Sequence, residues 1–195
     1  MKLFIGLAVA AILLAGCRTD PVMVIPAPPH TVAKPVLVLN EGAFGQVAAR
    51  LSVYDLDSDI VYRDVYEAAN SGQHLGSTGD DMAVMGGKAY LLMSGSENLA
   101  VVSMQDYRLL ESVSMPGSAP HDLLLDSVHG QIFVSRLYKN SLYILDLATL
   151  SVRDSVAVGA NPQGMAMAND ELFVCNSGYG ADSTVTVVDL VTHAV

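Results

Sequence analysis

Leu51-Ser-Val-Tyr-Asp-Leu56, Leu99-Ala-Val-Val-Ser-Met104, Leu142-Tyr-Ile-Leu-Asp-Leu147 and Val185-Thr-Val-Val-Asp-Leu190 are four versions of one hexapeptide. Their fifth positions, Asp55, Ser103, Asp146 and Asp189, lie 48, 43 and 43 residues apart. Other landmarks keep step: Tyr90, Phe133 and Phe173 follow similar turns, and Gly117-Ser-Ala-Pro120 precedes Gly159-Ala-Asn-Pro162 by 42 residues. A fixed period of this length marks a chain built from repeated supersecondary units.

Each unit reads as four short strands. In the third, the runs are 122–126, 131–135, 141–147 and 152–158, rich in Val, Leu, Tyr and Ile and separated by turn residues. No window carries an amphipathic-helix period, so helical arrays of similar length are excluded. Four strands per 40 to 45 residues is the pattern of a propeller blade. The expected fold is therefore all-β, a β-propeller of four-stranded blades. Blades are expected over 36–67, 72–115, 117–158 and 159–195, the first and last with about three strands each, or about three and a half blades in all.

Leu172-Phe-Val-Cys-Asn176 followed by Ser183-Thr-Val-Thr-Val-Val-Asp189 resembles the YVTN repeat of YncE-like seven-bladed propellers. Gly159-Ala-Asn-Pro-Gln-Gly-Met-Ala166 is similar to the Gly-x-x-Pro-x-Gly-x-Ala lead-in of that repeat, and Ile132-Phe-Val-Ser135 with Leu142-Tyr-Ile-Leu-Asp146 is a looser copy. Val36-Leu-Val-Leu-Asn-Glu-Gly42 looks like the start of lipoprotein propellers of this group. The resemblance covers 36–195 and implies a seven-bladed ring, which needs roughly 130 to 150 further residues at this period. The chain is accordingly expected to be the N-terminal part of a longer protein, with a complete four-bladed ring as the alternative.

The N-terminus reads as an export signal. Lys2 precedes an apolar run of 12 residues, Leu3 to Leu14, too short for a bilayer and of the length of a signal-peptide core. Leu14-Ala-Gly-Cys17 resembles the bacterial lipobox, implying cleavage after residue 16 and a lipid on Cys17. Arg18, where an inner-membrane retention signal would place Asp, favours the outer membrane. Residues 17–35 form the tether: five of the eight prolines fall there (Pro21, Pro26, Pro28, Pro29 and Pro35). Such a segment favours extended polyproline II, at about 3.1 Å per residue.

Charge narrows the partners. The chain carries 10 basic and 20 acidic residues, a formal charge of −10. That balance argues against nucleic acid and against electrostatic docking on anionic lipid, so the lipid on Cys17 must do the anchoring. Cys175, the only other cysteine, has no partner for a disulfide and is expected to be a small buried residue of its strand.

Functional side chains are expected on the long loops, since loops held by a rigid scaffold carry recognition. These are 40–50, 72–81, 94–98, 117–122, 136–140, 159–164 and 176–183; the opposite face has terse turns such as Met85-Gly-Gly-Lys88. The candidate ligand-binding residues are Glu41, Phe44, His74, Asp80, Glu97, His121, Arg136, Tyr138, Lys139, Asn176 and Tyr179. Arg136-Leu-Tyr-Lys139, basic on an acidic protein, is the most promising patch, because Tyr and Arg are enriched at binding hot spots.

Catalytic readings are weaker. Asp55-Leu-Asp-Ser-Asp59 has alternate acids like a calcium loop, but Ile60 stands where the invariant Gly belongs, so Asp55 is read as a turn residue. His74 and His121 are candidates to join Asp80 in a metal or acid–base cluster, as in propeller lactonases. No nucleophile elbow, phosphate loop or dinucleotide fingerprint is present, and no cofactor or metal is expected. The leading expectation is a non-catalytic envelope lipoprotein whose propeller face binds a small molecule, glycan or protein. The resemblance adds a corrinoid delivered to an outer-membrane transporter. The alternatives are a lactonase-like metal-dependent hydrolase and a structural or adhesive surface protein.

Overall fold

The structure, a computed structural model, describes residues 32–195. The leader, Cys17 and nearly all of the tether lie outside the described residues.

Among the described residues, fourteen strands form four antiparallel sheets in chain order. The first holds β1 (Pro35–Asn40), β2 (Arg50–Asp55) and β3 (Ile60–Tyr62). The second holds β4 (Gly79–Met85), β5 (Lys88–Met93), β6 (Asn98–Ser103) and β7 (Leu109–Ser114). The third holds β8 (Pro120–Asp126), β9 (Gln131–Arg136), β10 (Ser141–Asp146) and β11 (Val152–Ala157). The fourth holds β12 (Pro162–Ala168), β13 (Glu171–Asn176) and β14 (Val185–Asp189). Strands pair strictly with their sequence neighbours, so every sheet is a meander. The first strands of successive sheets, β4, β8 and β12, lie against one another and form the inner rim. The chain is an all-β protein whose sheets are blades of propeller type.

Strand alternation explains how blades stack. Successive side chains point to opposite faces. Leu91 and Met93 of β5 therefore join Leu51 and Val53 of the first blade, while Tyr90 and Leu92 join Ile132 and Val134 of the third. Phe133 points the other way, onto Leu172 and Val174. A central strand buried on both faces needs apolar side chains at every position, which is why Ala89-Tyr-Leu-Leu-Met93 reads as a continuous apolar run. The blade ends are set by turns. Gly86 and Gly87 both have positive φ (58° and 74°) in the two-residue link from β4 to β5, as a hairpin turn matched to strand twist requires.

Two sequence expectations change. A single helical turn, α1 (Val65–Ala69), follows β3; at five residues it is too short to show a period, and it forms because Val65 and Tyr66 bury in the first inter-blade core. Cys175 is exposed rather than buried. Alternation on β13 puts Leu172, Val174 and Asn176 inward and turns Cys175 to the opposite face, with Val185 beside it at 53% exposure.

The recurrent aspartate closes the turn after the strand that carries the repeated hexapeptide, β2 in the first sheet, β10 in the third and β14 in the fourth. Asp55 accepts the N–H of Asp57 (3.0 Å) and the hydroxyl of Ser58 (2.7 Å). Asp146 accepts from the N–H groups of Ala148 and Thr149, and Asp189 from those of Val191 and Thr192. Asp55 therefore serves its own turn, not a calcium loop.

Candidate functional site

The loops joining second to third strands, and those leading into each inner strand, meet at one end of the blades. Tyr138 sits on loop 137–140 between β9 and β10, and Tyr179 on loop 177–184 between β13 and β14. Although 41 residues apart, their rings approach to 6.4 Å between centroids with planes inclined by 39°. They are 65% and 63% exposed. The Tyr138 hydroxyl engages that of Tyr179 and raises the Tyr179 pKa above its usual value.

Asn161, in the lead-in to β12, braces both loops. Its side-chain amide donates to the Leu137 carbonyl (2.9 Å), and its own carbonyl accepts the Ser177 hydroxyl (3.0 Å) and N–H (3.2 Å). Its N–H in turn donates to the Asn140 side chain (3.1 Å). Gly178 donates to Ala160 (2.9 Å), and the Ser177 hydroxyl accepts the Tyr179 N–H. Tyr179 itself is held at φ 53°, ψ 39°, left-handed backbone that costs a residue with a Cβ roughly 1–2 kcal/mol. Asp182 accepts the Thr184 hydroxyl and N–H and the Ala160 N–H; these donors, the hydroxyl foremost, hold its carboxyl below the usual range. Close packing here requires Gly159, where a Cβ would run into the Asn176 side chain.

The other candidates divide into exposed groups and braces. Phe44, at 77% exposure, projects from the 40–50 loop, and Glu41 is exposed in the same segment, its carbonyl accepting the Gly79 N–H. Glu97 accepts the N–H groups of Gly117 (2.6 Å) and Ala119 (3.2 Å); these bonds, Gly117 first, hold its carboxyl below the usual range. It fastens the second blade's loop to the third blade's lead-in, with Lys139 close by. Arg136 lies over the Tyr143 ring at 3.8 Å and donates to Ser141 and Ser155, so its guanidinium works within the sheet. Asn176 is buried, its amide bound to Thr184 and Thr186.

The histidines part company. His121 meets Asp80 (Nδ1 to Oδ2, 3.2 Å), but His74 faces Glu67 at 3.4 Å instead of joining them. His74 lines a cavity of about 310 Å³ with Gly45, Gln46, Val47, Ala48, Gly76 and Ser77. Among the described residues, no group of three or more His, Cys, Asp or Glu is arranged to hold a metal ion.

Sequence reasoning missed a carboxylate pair on the inner rim. Asp81 accepts the Leu123 N–H of the next blade (2.7 Å), and Asp122 accepts the Met165 N–H of the blade after (2.6 Å). Burial, reinforced by the Asp81 carboxylate, pushes Asp122 up to about 6. Their separation of 41 residues, close to the repeat period, is the signal that would have aligned them. Asn161 was missed because its work lies in backbone contacts between blades.

A family described as a domain of unknown function, DUF5074, matches residues 34–195. No curated protein matches. Among solved structures, hydrazine synthase of Kuenenia stuttgartiensis is 13% identical with a TM-score of 0.62, over 80% of this chain and 46% of that one. The computationally designed Ika8 protein is 12% identical with a TM-score of 0.59, over 80% and 47%. The computationally designed Ika4 protein is 12% identical with a TM-score of 0.56, over 83% and 89%. The chain thus spans about half the length of the first two. At these identities the likeness is one of fold.

Proposed function

The chain belongs to the DUF5074 family of domains of unknown function, and from that premise we propose that it is a membrane-tethered binding module whose loop face holds a ligand without transforming it. The observation that carries this reading is the Tyr138–Tyr179 pair, drawn from two blades and fixed by the Asn161 brace. Two exposed aromatic rings stabilise no core here, and preset side chains lower the ordering cost of association. The inner-rim carboxylates Asp81 and Asp122 are engaged with backbone N–H groups of neighbouring blades, which favours binding over metal-dependent hydrolysis. The YVTN-like strands and lead-in keep a YncE-like relationship within this reading. The ligand classes it admits are a small molecule such as a corrinoid, passed to an outer-membrane transporter, a glycan, or a protein.

Export and lipidation complete the proposal, through Leu14-Ala-Gly-Cys17 and the proline-rich tether that follows. Intact-mass analysis of the membrane fraction should find a diacylated Cys17 as the N-terminus, and Cys17→Ser should release the chain from that fraction. An unmodified N-terminus retained at Met1 would overturn the tether. Thermal melts with cyanocobalamin, neutral oligosaccharides and envelope peptides test the face itself. Saturating a true ligand at 100 times its dissociation constant adds about 2.7 kcal/mol of stability. Absence of any shift across all three panels would overturn the binding reading.

A further inference from the structure

Resting on the binding reading above, we propose that the Tyr138–Tyr179 pair is a carbohydrate subsite, its two rings forming an open platform for the pyranose units of an uncharged glycan.

Placement is the first argument. Neither ring belongs to any of the three apolar clusters between blades. Both remain about two-thirds exposed, yet they converge from loops of adjacent blades. The chain holds them with the Asn161 and Ser177 bonds and accepts a left-handed tyrosine to do so. Rings fixed in this way lose little freedom when a ligand arrives, so more of the contact energy survives as affinity.

The chemistry of the surface then selects the ligand. A tyrosine presents an apolar ring face, electron-rich at its centre, and a polar tip that stays wet. A pyranose is the complement: one face made of polarised C–H groups, and a rim of hydroxyls. Small-molecule sites are concave and bury roughly 70–90% of their ligand; rings this exposed suit a ligand that remains half in water, as a sugar chain does. Extended peptides dock on sheet edges or in grooves, and these rings stand on loops. Nucleic acid, which also stacks on aromatics, is repelled by a chain of formal charge −10. Lys139, adjacent to Tyr138 on the same loop, counts against a cationic ligand.

The experiment uses the full chain, purified in a detergent without a sugar headgroup. Neutral hexasaccharides of glucose, xylose, mannose and N-acetylglucosamine are titrated by calorimetry, with tyrosine emission as a second readout, since the protein has eight tyrosines and no tryptophan. At least one hexasaccharide is expected to bind. Tyr138→Ala and Tyr179→Ala should each weaken that binding about tenfold or more, as loss of a hot-spot ring does, with melting temperature unchanged. Tyr138→Phe, which keeps the ring, should retain most of the affinity. Binding that ignores both alanine substitutions overturns the platform, as does failure of all four sugars at millimolar concentration. If cyanocobalamin or an envelope peptide binds in a Tyr138-dependent way while the sugars do not, the carbohydrate assignment falls and the binding reading stands. If none of these probes binds, both fall.

Discussion

At the scale of single residues, the acidic side chains work in two opposed senses, and pH separates them. Asp146 is lowered to about 2, chiefly by the Thr149 N–H and also by the Arg153 guanidinium; Asp55 and Asp189 are lowered mainly by the Ser58 hydroxyl and the Thr192 N–H respectively. A folded pKa below the unfolded value contributes stability above about pH 4, lost as pH falls toward the folded value. Asp122 does the reverse. Its folded pKa of about 6 exceeds the ordinary 3.8, so the folded chain holds a proton there that the unfolded chain has released. This group's contribution therefore declines as pH rises from about 4 to 6. Asn at 122 resembles the protonated form, able to accept from Met165 and donate toward Asp81. Because the carboxyl is only partly buried and solvent screens part of the effect, Asp122→Asn should raise stability at pH 7 by about 1 kcal/mol and flatten the pH 4–6 decline. Asp146→Asn should leave pH 7 less stable and soften the acid limb below pH 4. Thermal melts of the three proteins between pH 2 and 8 check both, and a parallel shift of all curves would refute the assignment.

At the scale of elements, loops and strands depend on different information. The third blade's strands were legible within two residues, because its central strands, β9 and β10, are buried on both faces and largely apolar, and each turn carries or directly follows Asp, Asn or Gly. Asn169 and Asp170, both at positive φ (51° and 60°), make the β12–β13 hairpin visible in the same way. What could not be read was whatever depends on a partner outside the residue's own strand, in the same blade or the next. Asn176 and Glu97 look like loop recognition residues in sequence, yet their side chains close bonds to Thr184, Thr186, Gly117 and Ala119. The rings of Tyr138 and Tyr179 are unremarkable 41 residues apart in the chain and meet only when two blades stack. The loop brace makes a specific prediction. Asn161→Gly keeps the left-handed backbone (φ 49°) but deletes the bond to Leu137. Global stability should drop by no more than about 1 kcal/mol, whereas amides of 137–140 and 177–182 should exchange about tenfold faster, the signature of local opening. Equal loss of protection throughout the four blades would show that Asn161 supports the fold, not the loops.

At the scale of the whole molecule, three inter-blade cores in a row make the chain quasi-one-dimensional. The first joins Leu51 and Val53 to Leu91 and Met93, the second Tyr90 and Leu92 to Ile132 and Val134, and the third Phe133, Leu142 and Ile144 to Leu172, Val174 and Val188. The second and third blades share a core on each side. The described faces beyond the first and fourth are open, leaving Val36, Val38 and Val61 at one end and Val185 and Val187 at the other between 37% and 53% exposed. In such an array each unit's stability is its own term plus those of its neighbours, so the position of a cavity decides what opens. Leu172→Ala in the third core and Leu92→Ala in the second delete the same atoms from sites of equal, complete burial. Each should cost about 2–5 kcal/mol, but the protection lost should differ. Leu172→Ala should expose the amides of β12–β14 first and spare β1–β3, because the fourth blade has no other core among the described residues to hold it. Leu92→Ala divides the array at its middle and should loosen β4–β7 and β8–β11 together. Hydrogen exchange resolved by strand distinguishes the two, and identical patterns from both variants would mean that the four blades open as a single cooperative unit.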